Sequence, residues 1–190
     1  MNDTTKDVTV FRIDKGNGKF RTIYAPSAEL KEHQKGWVRD ATYVAKLFDN
    51  HHVQHGFVAG RSPTTNATQH IRWRYTLSMD LKDFFDSVTY TMVFKQALRR
   101  NSGHMVVAWG RLFDGKNVAR QGFPTSPALA NIAASGMDND IMALQKVSRF
   151  GTNFVYTRYA DDLCFSFNFP GVGDMLLKSI PKIIEANGFK

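Results

Sequence analysis

Residues 154–167, FVYTRYADDLCFSF, place two adjacent carboxylates inside a run that is otherwise mostly apolar and aromatic. Both flanks are rich in β-branched or aromatic residues, which favours two strands joined by a tight turn. Asp161 and Asp162 are then expected to project from the tip of a hairpin. Adjacent carboxylates repel each other, and keeping both ionised calls for a cation, so the turn is a candidate Mg²⁺ site. A solvated surface turn is the alternative that this stretch alone leaves open.

The composition of the chain limits its number of domains and its possible partners. Of its 190 residues 43% are apolar, enough for packed cores in one large or two small domains. The formal net charge is +8, with Lys and Arg spread along the whole length. Such a surface attracts nucleic acid, although a merely solvated basic surface would have the same composition. The polar N-terminus and the lack of an 18-residue apolar run predict a cytoplasmic location and no membrane partner.

The chain has a single cysteine, Cys164, so no intramolecular disulfide is possible. Because Cys164 lies between Leu163 and Phe165, we expect a buried core thiol in a reducing compartment and not a nucleophile.

The N-terminal region predicts a basic β-hairpin. Strand-like runs at residues 8–13 and 20–24 flank DKGNGK, a strong turn signal, and a helix is predicted over residues 29–48. The hairpin carries four cationic side chains: Arg12, Lys15, Lys19 and Arg21. Such a hairpin is either a solvated turn or a clamp for a triphosphate, and the local sequence favours neither.

A third carboxylate is expected beside the first two. Residues 75–81 predict a strand, and Asp80 lies at the end of that strand. Asp83 and Asp86 are expected in the following turn, as caps or surface groups. Further helices are predicted over residues 62–73, 89–100, 105–113, 126–146 and 172–187.

Strands and helices in this order are typical of an α+β layer, with helices on one face of an antiparallel sheet. Asp80 can then lie beside the hairpin tip. Three convergent acids on a basic protein are what phosphoryl transfer by two Mg²⁺ ions requires.

Several motifs now identify a family. RYADDLCFS resembles the YxDD signature of reverse transcriptases, SMDLKDFFDS resembles their first aspartate motif, and QGFPTSPALANI resembles their QG-x-P-x-SP-xx-xN motif, all in the family's order. NATQH resembles the NAxxH motif of bacterial retron reverse transcriptases, and HGFVAGRS resembles a segment of retron and group II intron enzymes. The resemblance covers about residues 8–190.

The resemblance implies an α+β fold of reverse-transcriptase fingers and palm, with an antiparallel palm sheet backed by helices. Fingers are expected over residues 1–73, with part of 87–120 contributing, and the palm over residues 74–190. The palm is expected to be incomplete at its C-terminal end and the thumb to be absent.

The same resemblance implies an RNA-directed DNA polymerase of retron type, serving retron-like DNA synthesis or antiphage defence. It would transfer nucleotides onto a primer 3′-OH with two Mg²⁺ ions, or with Mn²⁺. Its partners would be an RNA template, a DNA or RNA primer and dNTPs. A structured non-coding RNA and a second polypeptide supplying primer grip and thumb are further expected partners.

The motifs that match the family also imply which residues form the site. The metal-binding catalytic acids would be Asp80, Asp161 and Asp162, with the Leu81 carbonyl as an extra ligand. The incoming nucleotide would meet Lys15, Lys19, Arg21, Phe85, Gln121, Gly122 and Ala160. Phe85 would block a ribose 2′-hydroxyl, and Ala160 would occupy a strained turn. Template or primer contacts would come from Gly56, Phe57, Arg61, Asn66, Pro124 and Tyr159.

Two other functional classes remain possible from the sequence. A catalytically silent nucleic-acid-binding subunit or fragment, dependent on a thumb-bearing partner, would keep the same basic fingers. A nucleotidyl cyclase shares a similar palm, but no GGDEF-like turn is present and QGFPTSP would have no role there.

Overall fold

A computed structural model of the chain describes residues 7–16, 18–48, 52–147 and 154–190. It mixes helices with antiparallel strands, so the predicted α+β class is confirmed. The elements run in this order: β1 (Val8–Gly16), β2 (Lys19–Pro26), α1 (Ala28–Lys46), α2 (Pro63–Thr68), β3 (Tyr75–Asp80), α3 (Phe84–Ser87), α4 (Tyr90–Arg99), α5 (Gly103–Val106), a 3₁₀ helix (Val107–Leu112), α6 (Ser126–Val147), β4 (Phe154–Tyr159), β5 (Asp162–Phe167) and α7 (Pro170–Ala186).

The chain forms two compact units. The first unit comprises Met1–Leu47 and Phe85–Ala133, and the second comprises Phe48–Phe84 and Ala134–Lys190. The boundary between fingers and palm at residues 73 and 74 stays a prediction.

The first unit contains the predicted basic hairpin. Strands β1 and β2 pair antiparallel, with Val10 opposite Tyr24 and Ile13 opposite Arg21. Of the Gly-Asn-Gly turn signal, Asn17 lies outside the described residues. Helix α1 follows directly, and the Ser27 hydroxyl caps it by accepting from the Leu30 N–H at 3.2 Å.

The second unit contains a three-stranded antiparallel sheet in the order β3-β5-β4. Side chains alternate between its two faces. The covered face carries Tyr75, Leu77, Met79, Phe154, Tyr156, Arg158, Leu163, Phe165 and Phe167. The open face carries Thr76, Ser78, Asp80, Val155, Thr157, Tyr159, Asp162, Cys164 and Ser166.

Helices pack against the covered face. From α6, the Asp138 carboxylate accepts from the Tyr156 hydroxyl at 2.7 Å. In α7, Gly173 lies so near the Phe167 ring that an added Cβ would approach it to 2.8 Å. Leu176 and Ile180 of α7 are fully buried, so this face of the sheet is part of the hydrophobic core.

Two predicted helices differ from the structure. The cap and proline at Ser62-Pro63 do start a helix, with a capping box between Ser62 and Thr65, but α2 ends at Thr68 and not at residue 73. The Thr68 hydroxyl donates to the Thr65 carbonyl, a side-chain bond that competes with helical pairing, and Arg72 already has a φ of 73°.

The helix predicted over residues 105–113 is also wrong in part. A four-residue α5 passes into the 3₁₀ helix Val107–Leu112. The β-branched Val106 and Val107 and the exposed Gly110 disfavour a regular α-helix here. In the described parts of the chain, no helix is both long enough and apolar enough to span a bilayer.

Candidate functional site

The sheet of the second unit brings the three predicted acids together. Asp80, the last residue of β3, is the direct cross-strand partner of Asp162, the first residue of β5. Asp161 sits in the turn between β4 and β5, and its carbonyl accepts from the Leu81 N–H at 3.1 Å. The expectation that the end of one strand lies beside the hairpin tip is therefore confirmed.

The turn is strained at Ala160, the position where the family resemblance implied strain. Ala160 has a φ of 57°, in the left-handed region, and only 8% of its surface is exposed. A non-glycine residue held in this region costs on the order of 1–3 kcal/mol. The surrounding structure must supply that energy, and such strain clusters at functional sites.

The carboxylates of this turn repel one another. Burial raises the pKa of Asp162, and the charges of Asp161 and Asp80 raise it further. Within the described residues, none of the three acids forms an ion pair with Lys, Arg or His. No cationic side chain of the described residues therefore neutralises the negative charge of these acids.

A divalent metal fits this donor set. Carboxylate oxygens are the ligands that Mg²⁺ and Mn²⁺ prefer, and a metal would relieve the repulsion that raises the pKa of Asp162. Among the described residues, no three acidic, His or Cys side chains already converge on a single point.

Cys164 departs from the prediction. Strand alternation places it on the open face beside Ser166 and Asp162, whereas its neighbours Leu163 and Phe165 point into the core. It is half-buried and not a core thiol. Burial raises the pKa of its sulfhydryl, so the thiolate is disfavoured, as expected of a cysteine that is not a nucleophile.

Residues 55–57, the HGF segment, pack against the turn that carries Asp161 and Asp162. Gly56 is buried, and a Cβ added to it would collide with the backbone nitrogen of Ala160. The neighbouring His55 N–H donates to the Arg158 carbonyl at 2.8 Å. Phe57 follows with a φ of 61° and 45% of its surface exposed.

Other expected template or primer contacts lie in different surroundings. The Arg61 guanidinium donates to the Gln54 carbonyl at 2.5 Å, so it braces the same segment. Asn66 is half-buried in α2, and Tyr159 is half-buried at the end of β4. Pro124, in the first unit, is also half-buried. Their contacts with template or primer stay predictions.

The first unit gathers part of the expected nucleotide site around Tyr24. Its N–H donates to the Gln121 carbonyl at 2.9 Å, and Gly122 has a φ of 113°. A Cβ on Gly122 would come within 2.5 Å of the Tyr24 carbonyl oxygen, so only glycine fits there. Strand β2 therefore holds the Gln121-Gly122 pair through its backbone.

The basic residues expected at the nucleotide phosphates belong to the first unit, as does Phe85, the residue expected to exclude a ribose 2′-hydroxyl. Lys19 and Arg21 are exposed on β2, on the face that also carries Ile23, which approaches Gly122. Lys15 lies in β1. Phe85 is half-buried in α3.

Arg120 is a residue that the sequence did not single out. Its guanidinium donates to Asp86 and to Asp114, each at 2.6 Å, and lies 4.6 Å from the centre of the Tyr24 ring. It thereby joins α3, which contains Phe85, to the strand that holds Gln121. The signal in the sequence was its position directly before the QG motif.

A second missed group lies on the covered face of the sheet. Arg158 and Asp138 are both fully buried and form an ion pair at 2.8 Å. Burial opposes the charged form of Arg158, but the Asp138 carboxylate raises the pKa of the guanidinium above its ordinary value. Opposite charges at inward positions of an apolar strand and an apolar helix were the available signal.

Comparisons with known proteins agree with these features. The family described as reverse transcriptase (RNA-dependent DNA polymerase) matches residues 13–190. The chain is 36% identical to the retron Mx162 reverse transcriptase of Myxococcus xanthus, over 99% of this chain and 43% of that protein. It is 33% identical to the retron Ec86 reverse transcriptase of Escherichia coli, over 90% of this chain and 48% of that protein. The chain thus spans less than half the length of these two relatives.

Solved structures show the same fold at low sequence identity. A telomerase from Candida albicans, in complex with a TWJ fragment of telomeric RNA, superposes with a TM-score of 0.71 at 13% identity, over 95% of this chain and 41% of that one. Motifs, strand register and family match agree, and the chain belongs to the reverse transcriptase family, in its retron-type branch.

Proposed function

We propose that this chain is the part of a retron-type RNA-directed DNA polymerase that holds the catalytic acids and part of the nucleotide site. The observation that carries the proposal is the pairing of Asp80 with Asp162 beside Asp161 at one end of a β-sheet. An acidic site on a chain of net charge +8 suits a reaction between a polyanionic strand and a triphosphate.

Asp80, Asp161 and Asp162 would hold the divalent metals, with the Leu81 carbonyl as a further ligand. When bound, such ions lower the pKa of a primer 3′-hydroxyl and neutralise charge on the triphosphate. Two Mg²⁺ ions are the proposed complement, and Mn²⁺ can replace Mg²⁺ at oxygen ligands. The strained turn and the strand ends hold the carboxylates before any substrate arrives, which is where a preorganised site gains its advantage.

Residues of the first unit would bind the nucleotide, and Ala160 stays a separately predicted nucleotide contact. Lys15, Lys19 and Arg21 supply cations for the phosphates, and Arg offers a planar fork for phosphate oxygens. Gln121 and Gly122 would line the nucleotide, since Gly122 lets backbone approach closely. Phe85 would close the space that a 2′-hydroxyl needs.

The proposed partners are an RNA template, a primer and dNTPs, with a structured non-coding RNA and a thumb-bearing polypeptide as further candidates. The exposed ring of Phe57, adjacent to the catalytic turn, is suited to stacking on a base. Retron-like DNA synthesis and antiphage defence would both use this chemistry. Which of them it serves, and the cytoplasmic location, stay predictions.

Primer extension on an RNA template tests the proposal directly. The 190-residue chain is assayed with Mg²⁺ or Mn²⁺, alone and with a polypeptide that supplies primer grip and thumb. Asp161→Asn should reduce extension by more than about 100-fold, because a lost metal ligand removes several kcal/mol of transition-state stabilisation. Its melting temperature should not fall, since the acid is not part of the core. Full extension by Asp161→Asn would refute the assignment.

Sugar selection tests the nucleotide site separately. Phe85→Val should raise incorporation of ribonucleotides relative to deoxyribonucleotides by about tenfold, because a smaller side chain leaves room for the 2′-hydroxyl. Phe94→Val, on α4 of the same unit, is the matched control and should leave selectivity unchanged. Equal selectivity in the Phe85 variant and the parent would mean that this ring only packs.

A further inference from the structure

The covered face of the sheet holds a charged network directly beneath the catalytic turn. Strand alternation sends Tyr156 and Arg158 inward, towards Asp138 of α6. Arg158 and Asp138 have no exposed surface. Burying an ion pair is weak evidence for a gain in stability, because desolvation opposes the attraction between the charges. A role other than stability is therefore worth seeking.

The network satisfies its charges through direct hydrogen bonds. Arg158 grips Asp138 with two of its nitrogens, Nε to Oδ1 at 2.9 Å and Nη2 to Oδ2 at 2.8 Å. The same carboxylate accepts from the Tyr156 hydroxyl at 2.7 Å and from Gln54 Nε2 at 3.1 Å. A guanidinium held in this bidentate way has a fixed orientation.

The remaining nitrogen of that fork points to the turn. Arg158 Nη1 donates to the Ala160 carbonyl at 3.0 Å. Ala160 is the residue with positive φ, directly before Asp161. Since the next carbonyl, that of Asp161, accepts from the Leu81 N–H, two consecutive peptide groups of the turn are held.

The HGF segment, residues 55–57, makes a third set of contacts with the turn. Gly56 packs against the Ala160 nitrogen, and the Arg158 carbonyl accepts from the His55 N–H. The turn is thus fixed by a side chain from β4, a helix carboxylate and a loop that come from distant parts of the sequence. None of these groups is one of the three acids.

We propose that Arg158, oriented by Asp138, is a positioning residue that clamps the Ala160 carbonyl and so holds Asp161 and Asp162 in the geometry needed to bind metal. The inference rests on the proposed function for the role of the acids. The clamp itself is a property of the turn and can be measured without catalysis.

The test separates the clamp from ordinary stability. Asp138→Leu/Tyr156→Phe/Arg158→Met replaces the network by apolar side chains, a change that can leave folding stability intact. Arg158→Lys keeps the positive charge beside Asp138 but lacks the fork that reaches both partners. Leu176→Ala, in the core of α7, is the control that lowers stability without touching the turn.

Hydrogen–deuterium exchange is measured in the 190-residue chain, for peptides covering the turn and for peptides covering β3. In both network variants, exchange at the turn should accelerate on the order of tenfold while β3 changes little. Leu176→Ala should not loosen the turn selectively. Unchanged exchange at the turn in Arg158→Lys and in the triple variant would overturn the proposal, whatever their melting temperatures.

A Mn²⁺ titration followed by electron paramagnetic resonance adds the link to the metal site. Affinity should fall about 10- to 100-fold in the network variants, the range for residues that orient metal ligands, and should stay near the parent's in Leu176→Ala. A loosened turn with unchanged affinity would overturn the positioning role. If the parent itself binds no Mn²⁺, the proposed metal site fails, and exchange at the turn alone then decides whether the clamp exists.

Discussion

The two faces of the sheet in the second unit place their charged side chains in opposite environments. On the covered face, Arg158 and Asp138 are fully buried and bonded to each other and to polar neighbours. On the open face, Asp80 and Asp162 are exposed and adjacent, and the pKa of Asp162 is raised by burial and then by the charges of Asp161 and Asp80. The charges of the covered face are paired with each other, whereas the acids of the open face form no ion pair with the described residues.

This contrast shows how a single hairpin can serve two purposes. Because side chains alternate along a strand, the same few residues supply Arg158 to one face and Asp162 to the other. The covered face holds the backbone of the turn in a strained shape. The open face leaves its carboxylates without an ion pair among the described residues, as the proposed metal site requires.

The largest effect is expected when the covered face loses one partner. Asp138→Ala removes the carboxylate that neutralises the buried Arg158 guanidinium, which should lower the free energy of unfolding by about 3–5 kcal/mol. Urea unfolding followed by circular dichroism measures it. Asp162→Asn is the counterpart on the open face, and without divalent metal it should be neutral or stabilising because it removes repulsion. Equal losses in both variants would refute the contrast between the faces.

An intermediate effect is expected where the HGF segment meets the turn. Gly56→Ala adds a Cβ against the Ala160 backbone, which cannot yield as a flexible side chain could, so about 1–3 kcal/mol of stability should be lost. Gly36→Ala is the matched control, since nothing lies within 4 Å of its Cβ position in α1. That control should gain about 0.5–1 kcal/mol. A neutral Gly56→Ala would show that the segment does not support the turn.

Short-range patterns in the sequence were sufficient to predict those parts of the fold that are determined by residues adjacent in sequence. The hairpins, the helix start at Ser62-Pro63 and the strand ending at Asp80 follow from turn residues, capping residues and alternation. The placement of Asp80 beside the DD turn required one topological assumption, an antiparallel sheet, and the register confirms that assumption.

Long-range pairings could not be read in this way. Asp138 and Arg158 are 20 residues apart on a helix and a strand, and periodicity alone does not say which inward charges meet. Gly56 meets Ala160 across more than a hundred residues, so its need for glycine appears only in the folded chain. The early end of α2 depends on side-chain bonds from Thr65 and Thr68 that helix propensity does not register.

The smallest effect concerns His70, which covers the other end of the open face. Its ring nitrogens bond to the Ser166 hydroxyl at 2.9 Å and the Thr157 hydroxyl at 2.7 Å. Burial lowers the pKa of His70 below the ordinary value of 6.5. The neutral ring therefore belongs to the folded state, while the unfolded chain takes up a proton near pH 6.5.

Stability from His70 should be fully present above pH 6.5 and be lost as the pH falls through its lowered folded pKa. The pKa of His55 is lowered by burial and by the charges of Arg61 and His70. His55 therefore also contributes stability that is lost as the pH falls. Asp162 acts oppositely, because burial and the charges of Asp161 and Asp80 raise its pKa in the folded state. His70→Gln should therefore flatten the decline of melting temperature with acid, and adding His55→Gln should flatten it further. NMR titration of the ring protons measures the pKa directly, and a value at or above 6.5 for His70 would contradict the expectation.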